Sequence, residues 1–336
     1  MSLQTTANVF TDPGSRAVGA LFDAAVAEQT QNLVYTQLGY GDFEPDSQSF
    51  EINGVAGPGY AKLTLEGQNY QANSKEKEFS VQVDLRKHTL ELAVTEEVEH
   101  WLKKANSQKM INEIQSGVEH AVNGLHGAID LQASQVFHLG FGTTSPVNSA
   151  GTVGNSEALF ASHTLRKSGA AAVRNTFASG DTERPLASDA LTTAIEVMNR
   201  YRSHNDIELL PVKDLLLIVS KENAAKADQL LNSEYGPLVA TLGQNPGGAK
   251  SLSRRGININ YVVDPYTPSA YSTYWFLVDK MRAKKRLKMA WGWRPRMVNQ
   301  ADPGTGQMKL WGSVFFRPTC HGWDHAFGSR GNSAAI

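Results

Sequence analysis

The chain has 336 residues, 41% hydrophobic and 19% charged, ordinary proportions for a folded protein of two or three structural units. A formal net charge of -1 gives no overall attraction to nucleic acid or to anionic membranes, so contacts of that kind would have to come from local patches. The lone Cys320 excludes an intrachain disulfide, and the absence of a membrane-length apolar run or a signal-like start predicts a chain made in the cytosol.

Residues 1–48 read as an arm. Val18, Leu21, Phe22, Ala25 and Val26 recur at helical spacing between Arg16 and Gln29, and Gly39, Gly41 and Pro45 signal turns. From Phe50 the chain passes Gly54, Gly57, Pro58 and Gly59, runs through Tyr60 to Leu65, and crosses the polar span Glu66 to Glu78. It then returns through Phe79, Val81, Val83 and Leu85 in strict alternation, which predicts a long hairpin with a solvated tip. Leu90, Leu92 and Val94 continue the alternation. Thr95 is placed to cap a short helix, Glu96 to Ala105, with acids where the helix dipole favours them.

Gln108 to His138 carries an unbroken helical stripe of Ile111, Ile114, Val118, Ala121, Val122, Leu125, Ile129, Ala133 and Val136, free of proline. At about 1.5 Å per residue this helix would run roughly 45 Å, a spine rather than an ordinary internal helix. Gly117, Gly124 and Gly127 flank the stripe, each costing about 1 kcal/mol against alanine. Their presence predicts another backbone packed close by, with a kink as the alternative.

Gly140, Gly142, Pro146, Gly151 and Gly154 then mark a loop-rich crossing, followed by Ala158 to Phe160 and a span from Ser168 to Ser188. Ser188 is expected to cap a helix to about Ser203, and Leu215 to Val219 to form a buried strand. A helix from Lys221 to Tyr235 should stop at Gly236 and Pro237. Ile257 to Val263 and Tyr274 to Val278 supply two more strands. Arg286 to Val298 and Met308 to Arg317 should pair around the turn Asp302-Pro303-Gly304-Thr305-Gly306.

Catalytic and cofactor motifs are missing. There is no phosphate loop, no His-Glu-x-x-His helix and no Gly-x-Ser-x-Gly elbow. Gly140-Phe141-Gly142 is half a dinucleotide fingerprint but follows a helix where that fingerprint must follow a strand. Cys320, His321, Asp324 and His325 could ligate a metal, yet they lack a second ligand pair. The expected reading is a structural end-segment with Trp323 buried and the histidines hydrogen-bonded. No catalytic residue, cofactor or metal is assigned.

A basic run free of acids spans Lys280, Arg282, Lys284, Lys285, Arg286, Lys288, Arg294 and Arg296, with Trp291 and Trp293 interleaved. Phosphate contact with base stacking is one reading. The favoured one is a solvated strand face or an inter-subunit partner for the acids Glu91, Glu96, Glu97 and Glu99.

The order of parts resembles the HK97-like major capsid proteins of tailed bacteriophages over nearly the whole chain. The likeness rests on Ala158-Leu159-Phe160-Ala161-Ser162-His163-Thr164-Leu165 with Gly169 and on the helix from Leu186. It rests also on Leu215-Leu216 and Ile218-Val219 running into Ser220-Lys221-Glu222-Asn223-Ala224, and on Trp275-Phe276-Leu277-Val278. The resemblance implies an α+β capsid fold. Its parts would be an N-terminal arm (1–48), an extended-loop hairpin with flanking strands (49–90), and a peripheral domain (91–157) with its spine at about 108–138. An axial domain (158–285), peripheral return strands (286–319) with a turn at 299–307, and a C-terminal segment (320–336) would complete the chain.

By the same likeness the extended loop, about Gly57 to Lys87, makes the assembly contact, with Lys62, Glu66, Asn69, Lys75 and Lys77 as candidates. Asp302, Pro303 and Gly304 lie in a threefold-proximal loop, and Lys284, Lys285, Arg286 and Lys288 form the core of the basic run. The arm begins almost at Met1, without the long scaffolding segment of many relatives, which implies a separate scaffold or none. No crosslinking pair is assigned.

The resemblance thus implies a non-enzymatic shell protein. Pentamers and hexamers would enclose double-stranded DNA through weak, non-specific interior contact, with separate scaffolding, portal and decoration proteins as further partners and no membrane. The expected location is the virion, assembled in the host cytoplasm. An encapsulin-like nanocompartment and a cytosolic α+β enzyme are the alternatives, distinguished by protein cargo and by a deep pocket of perturbed titratable groups respectively.

Overall fold

The computed structural model of the chain describes residues 13–30, 33–56, 76–94, 108–144, 147–154, 156–177, 183–232, 256–301 and 308–331. The arm contains α1 (Pro13–Thr30), one turn of helix, α2 (Val34–Gln37), and the short strand β1 (Gly41–Phe43). The last two carry too few residues to show a period. After the strands β2 (Ser49–Ala56), β3 (Glu76–Asp84) and β4 (Arg86–Val94) comes the spine α3, Gln108–His138, with the predicted bounds. The predicted helix Glu96 to Ala105 and its cap Thr95 lie outside the described residues.

The spine is covered by a four-stranded sheet in the order β1-β10-β11-β4, where β10 is Leu287–Ala301 and β11 is Met308–Cys320. β10 and β11 form the predicted antiparallel pair, β4 adds antiparallel to β11, and β1 lies parallel to the start of β10. Val118, Ala121, Val122, Leu125, Ile129, Ala133 and Val136 of the spine are buried. The side chains of Ile111 and Ile114 fall outside the described ones.

Gly312 of β11 lies over the helix. A Cβ there would stand 3.1 Å from Leu125 Cδ1, so glycine lets the strand settle onto the spine. Two of the spine's own glycines meet side chains rather than the expected backbone: a Cβ at Gly124 would lie 3.2 Å from Leu90 Cδ1, and one at Gly127 would lie 3.9 Å from the Tyr266 hydroxyl.

The second four-stranded sheet has the order β12-β9-β7-β8, with β7 Asp214–Ser220, β8 Asn258–Asp264, β9 Trp275–Asp279 and β12 Ala326–Ser329. Leu215 to Val219 are buried throughout, as a central strand covered on both faces requires. β8 runs parallel to β7 while β9 and β12 are antiparallel additions. The C-terminal segment therefore supplies an edge of this sheet, a strand too short and glycine-broken to have been predicted. A two-residue ladder, β5 (Ser162–His163) with β6 (Val173–Arg174), precedes it in the chain.

Helix α4 spans Ser188–Asn199. Its N-cap position is Ala187, which offers no side-chain cap, so the expectation of a Ser188 cap and an end at Ser203 is corrected. The next helix, α5, begins at Ala224 and is described to Asn232. Lys280–Arg286, read from sequence as part of a strand-borne basic run, is instead a helix, α6. Asp279 accepts the N–H groups of Met281 and Arg282 and so starts it.

Two buried carboxylates join these parts to the spine. Asp130 accepts from the N–H of Val34 at 3.1 Å and of Tyr35 at 3.0 Å, capping α2, whose preceding residue Leu33 cannot. Asp264, at the end of β8, accepts from Ser134 of the spine and from Thr267 Oγ1 at 2.9 Å. Asp130→Ala is expected to lower stability by about 1–2 kcal/mol, the usual cost of a lost cap with orphaned donors. Amide exchange should rise first at Val34 and Tyr35; unchanged protection there would show that the carboxylate does not hold the arm.

Candidate assembly site

β2 and β3 pair antiparallel, Phe50 opposite Val83 and Ile52 opposite Val81, and form the stem of the predicted hairpin. The alternation of β3 buries Val81 and Val83 and leaves Ser80 and Gln82 exposed, and Leu85, just beyond it, is buried as well. The buried side faces the same subunit. Ser149 Oγ accepts from the Asp84 N–H at 2.6 Å, the Phe79 ring meets His204 edge-on at 5.3 Å, and an Arg166 nitrogen donates to the Glu78 carbonyl at 3.2 Å. The return strand from Glu78 onward is therefore seated on its own chain, more tightly than a freely projecting loop from Gly57 to Lys87 would be. Lys62, Glu66, Asn69 and Lys75 lie outside the described residues, as do Asp302, Pro303 and Gly304. Lys77 is placed by its backbone, opposite Val55.

Near the end of the described stem, Glu78 is only 4% exposed and meets Arg286 in a bidentate pair, at 2.6 and 3.1 Å. The same guanidinium reaches Asp324, Nε to Oδ1 at 2.8 Å and a second nitrogen to Oδ2 at 3.2 Å. Burial alone would lower the Arg286 pKa, but the Asp324 and Glu78 carboxylates outweigh it and raise it. Burial would raise the Asp324 carboxyl, yet Arg286 beside it brings it down to about 2.

Cys320, His321 and His325 surround this cluster without forming a ligand set, and no group of ligands suited to a metal occurs among the described residues. Trp323 is buried as expected and stacks on His163 at 4.7 Å. His325 is hydrogen-bonded as expected, its Nε2 meeting the Cys320 thiol at 3.9 Å, while Nδ1 of His321 and of His325 finds no partner among the described residues. Burial, reinforced by the nearby Arg286 charge, lowers His321 to about 4. His325, lowered chiefly by burial, falls to about 3. Burial pushes the Cys320 thiol up to about 12, which leaves it unreactive.

The basic run does not act as one surface. Arg282 pairs with Asp279 at 3.3 Å, Arg286 with the two carboxylates above, and Arg294 with Asp42 at 2.8 Å. Arg294 also lies over the Trp291 ring and Arg296 over Trp293. Lys288 donates to the Lys284 carbonyl, while Lys284 and Lys285 are exposed on α6. Glu91 has a partner in its own chain, Lys309 at 3.6 Å; Glu96, Glu97 and Glu99 lie outside the described residues.

The residues that matter most here, Glu78 and Asp42, escaped sequence reasoning. Glu78 looked like the end of a polar tip, and its partner stands 208 positions away, a distance no local pattern reports.

No protein-family model matches the sequence, and no curated relative matches it. Among solved structures the chain is similar to one from Mycobacterium phage Patience, at 12% identity, with 94% of this chain and 89% of that one covered and a TM-score of 0.50. It is similar also to the capsid of Myoviridae phage XM1, at 11% identity over 88% and 90% of the two chains with a TM-score of 0.48. A virus-like particle from Pyrococcus furiosus matches at 8% identity over 92% and 98% of the chains, with a TM-score of 0.47. The arm, hairpin stem, spine and two mixed sheets, together with the match to the Patience structure, give the chain the HK97-like fold.

Proposed function

We propose that this chain is a major capsid protein, whose rings of five and six subunits close into an icosahedral shell around double-stranded DNA. The observation that carries the reading is the likeness in fold to the Mycobacterium phage Patience structure across 94% of the chain. The hairpin fits it in part: its return strand is seated on its own subunit, and the opposite side of the ladder, with Ser80 and Gln82 exposed, is the one left to lie across a neighbour, the contact that heterologous rings repeat. The extended loop, predicted over about Gly57 to Lys87, and the predicted threefold-proximal loop at 299–307 are the segments we assign to neighbouring subunits, the former without its seated return strand. Lys284 and Lys285, on an exposed helix face, suit an interior that touches DNA weakly. The subunit would be assembled in a host cytoplasm and reside in the virion, with scaffolding, portal and decoration proteins as separate partners. No helix among the described residues is long and apolar enough to cross a membrane.

Electron microscopy of the purified protein is expected to show closed particles of icosahedral outline, and particles taken from their native source should hold nuclease-protected DNA. Small open oligomers would overturn the shell. Particles filled with one protein species in place of DNA would make it a nanocompartment.

A further inference from the structure

The β2–β3 ladder is irregular at the point where Glu78 meets Arg286. The β2–β3 register shifts between Asn53 and Val55, a bulge in which Glu78 and Phe79 of β3 stand opposite the single residue Gly54, and such bulges bend a strand and re-aim the chain beyond them. A Cβ on Gly54 would collide with the Glu78 carboxylate, and one on Gly322 would lie 2.9 Å from Arg286 Cδ. Both positions are kept bare by the ion pair itself. Arg286 closes α6, Asp324 sits just before β12, and Glu78 lies in β3, so one guanidinium joins the hairpin, the helix after β9 and the C-terminal segment.

We infer that Arg286 is a latch: by clamping Glu78 at the bulge, it fixes the direction in which the β2–β3 hairpin leaves the subunit and couples that direction to the β7–β9 sheet. A desolvated fork-to-carboxylate pair is directional as well as strong, which a surface pair between two flexible chains is not. Releasing it frees the hairpin above the bulge while leaving Val81, Val83 and Leu85 seated. The latch's role in shell closure rests on the proposed function; its existence does not.

The test is hydrogen exchange across the full-length protein in Glu78→Gln, which removes the charge, and in Gly54→Ala, which displaces the carboxylate without removing it. Both should speed exchange in residues 49–56 and 76–80 by about tenfold or more, the scale of losing a hydrogen bond to a charged group. Residues 214–220 and 275–279 should exchange as in the wild type. Wild-type exchange in both variants would overturn the latch, and so would an equal rise along the whole chain, which would make the pair a contributor to general stability only. In particles, the latch predicts a smaller closed fraction for Glu78→Gln. A wild-type protein that forms no closed particles would overturn the shell reading and leave the exchange result standing.

Discussion

Acidifying the free subunit from pH 6.5 to pH 4 is expected to remove on the order of 5 kcal/mol of stability through two histidines alone. His321 and His325 are lowered from 6.5 to about 4 and about 3, so across this interval the unfolded chain takes up protons that the folded chain refuses. The state that binds more protons gains as pH falls, and here that is the unfolded one. Below pH 3.8 the loss continues, because Asp324, held at about 2 by Arg286, is an anion whose stabilisation disappears only as pH falls through its folded value. Urea midpoints measured at half-unit steps should fall steeply from pH 6.5 to 4 in wild type and less steeply in His321→Asn, the slope that remains coming from His325 and from His88, His126, His138 and His204, which burial also lowers. A flat profile over that range would mean that these rings are solvated.

Val122→Pro should also be severe. Val122 lies in the middle of the spine, fully buried, and proline there removes one hydrogen bond and clashes with the preceding turn, at a cost of about 3 kcal/mol or more. The kink would also lift the helix off β4 and β11, which pack along it. Val122→Ala, which leaves the helix intact, should cost only about 1–2 kcal/mol. Soluble Val122→Pro protein with wild-type helicity and midpoint would show that the spine does not depend on an unbroken ladder.

The elements that sequence reasoning found are those whose burial writes a period into the chain. The spine's stripe, the alternation of Val81, Val83 and Leu85, and the apolar run of β7 were readable because each packs one continuous face. What stayed hidden depends on partners far along the chain. β1 has three residues and exists because β10 offers an edge, and β12 exists because β9 does. The basic run misled because charge reads as surface, whereas Arg286 is largely withdrawn from solvent between carboxylates that arrive from Glu78 and Asp324. The candidate site was thus legible as a hairpin and illegible as a clamp.

The sheet over the spine draws its strands from both ends of the chain, and this sets the timing of synthesis. The spine is complete at His138, but β11, which covers it, begins about 170 residues later at Met308. At roughly 5–20 residues per second, a ribosome would leave that stripe without its cover for about 10–35 s. During this interval Val118, Val122, Leu125 and Ile129 have only the arm and β4 to shelter them, while the β7–β9 sheet can already close. The nascent subunit is therefore most prone to clump just before its last strands emerge, and a chaperone that occupies the stripe over this interval would raise the yield of folded subunits more than one that acts after release.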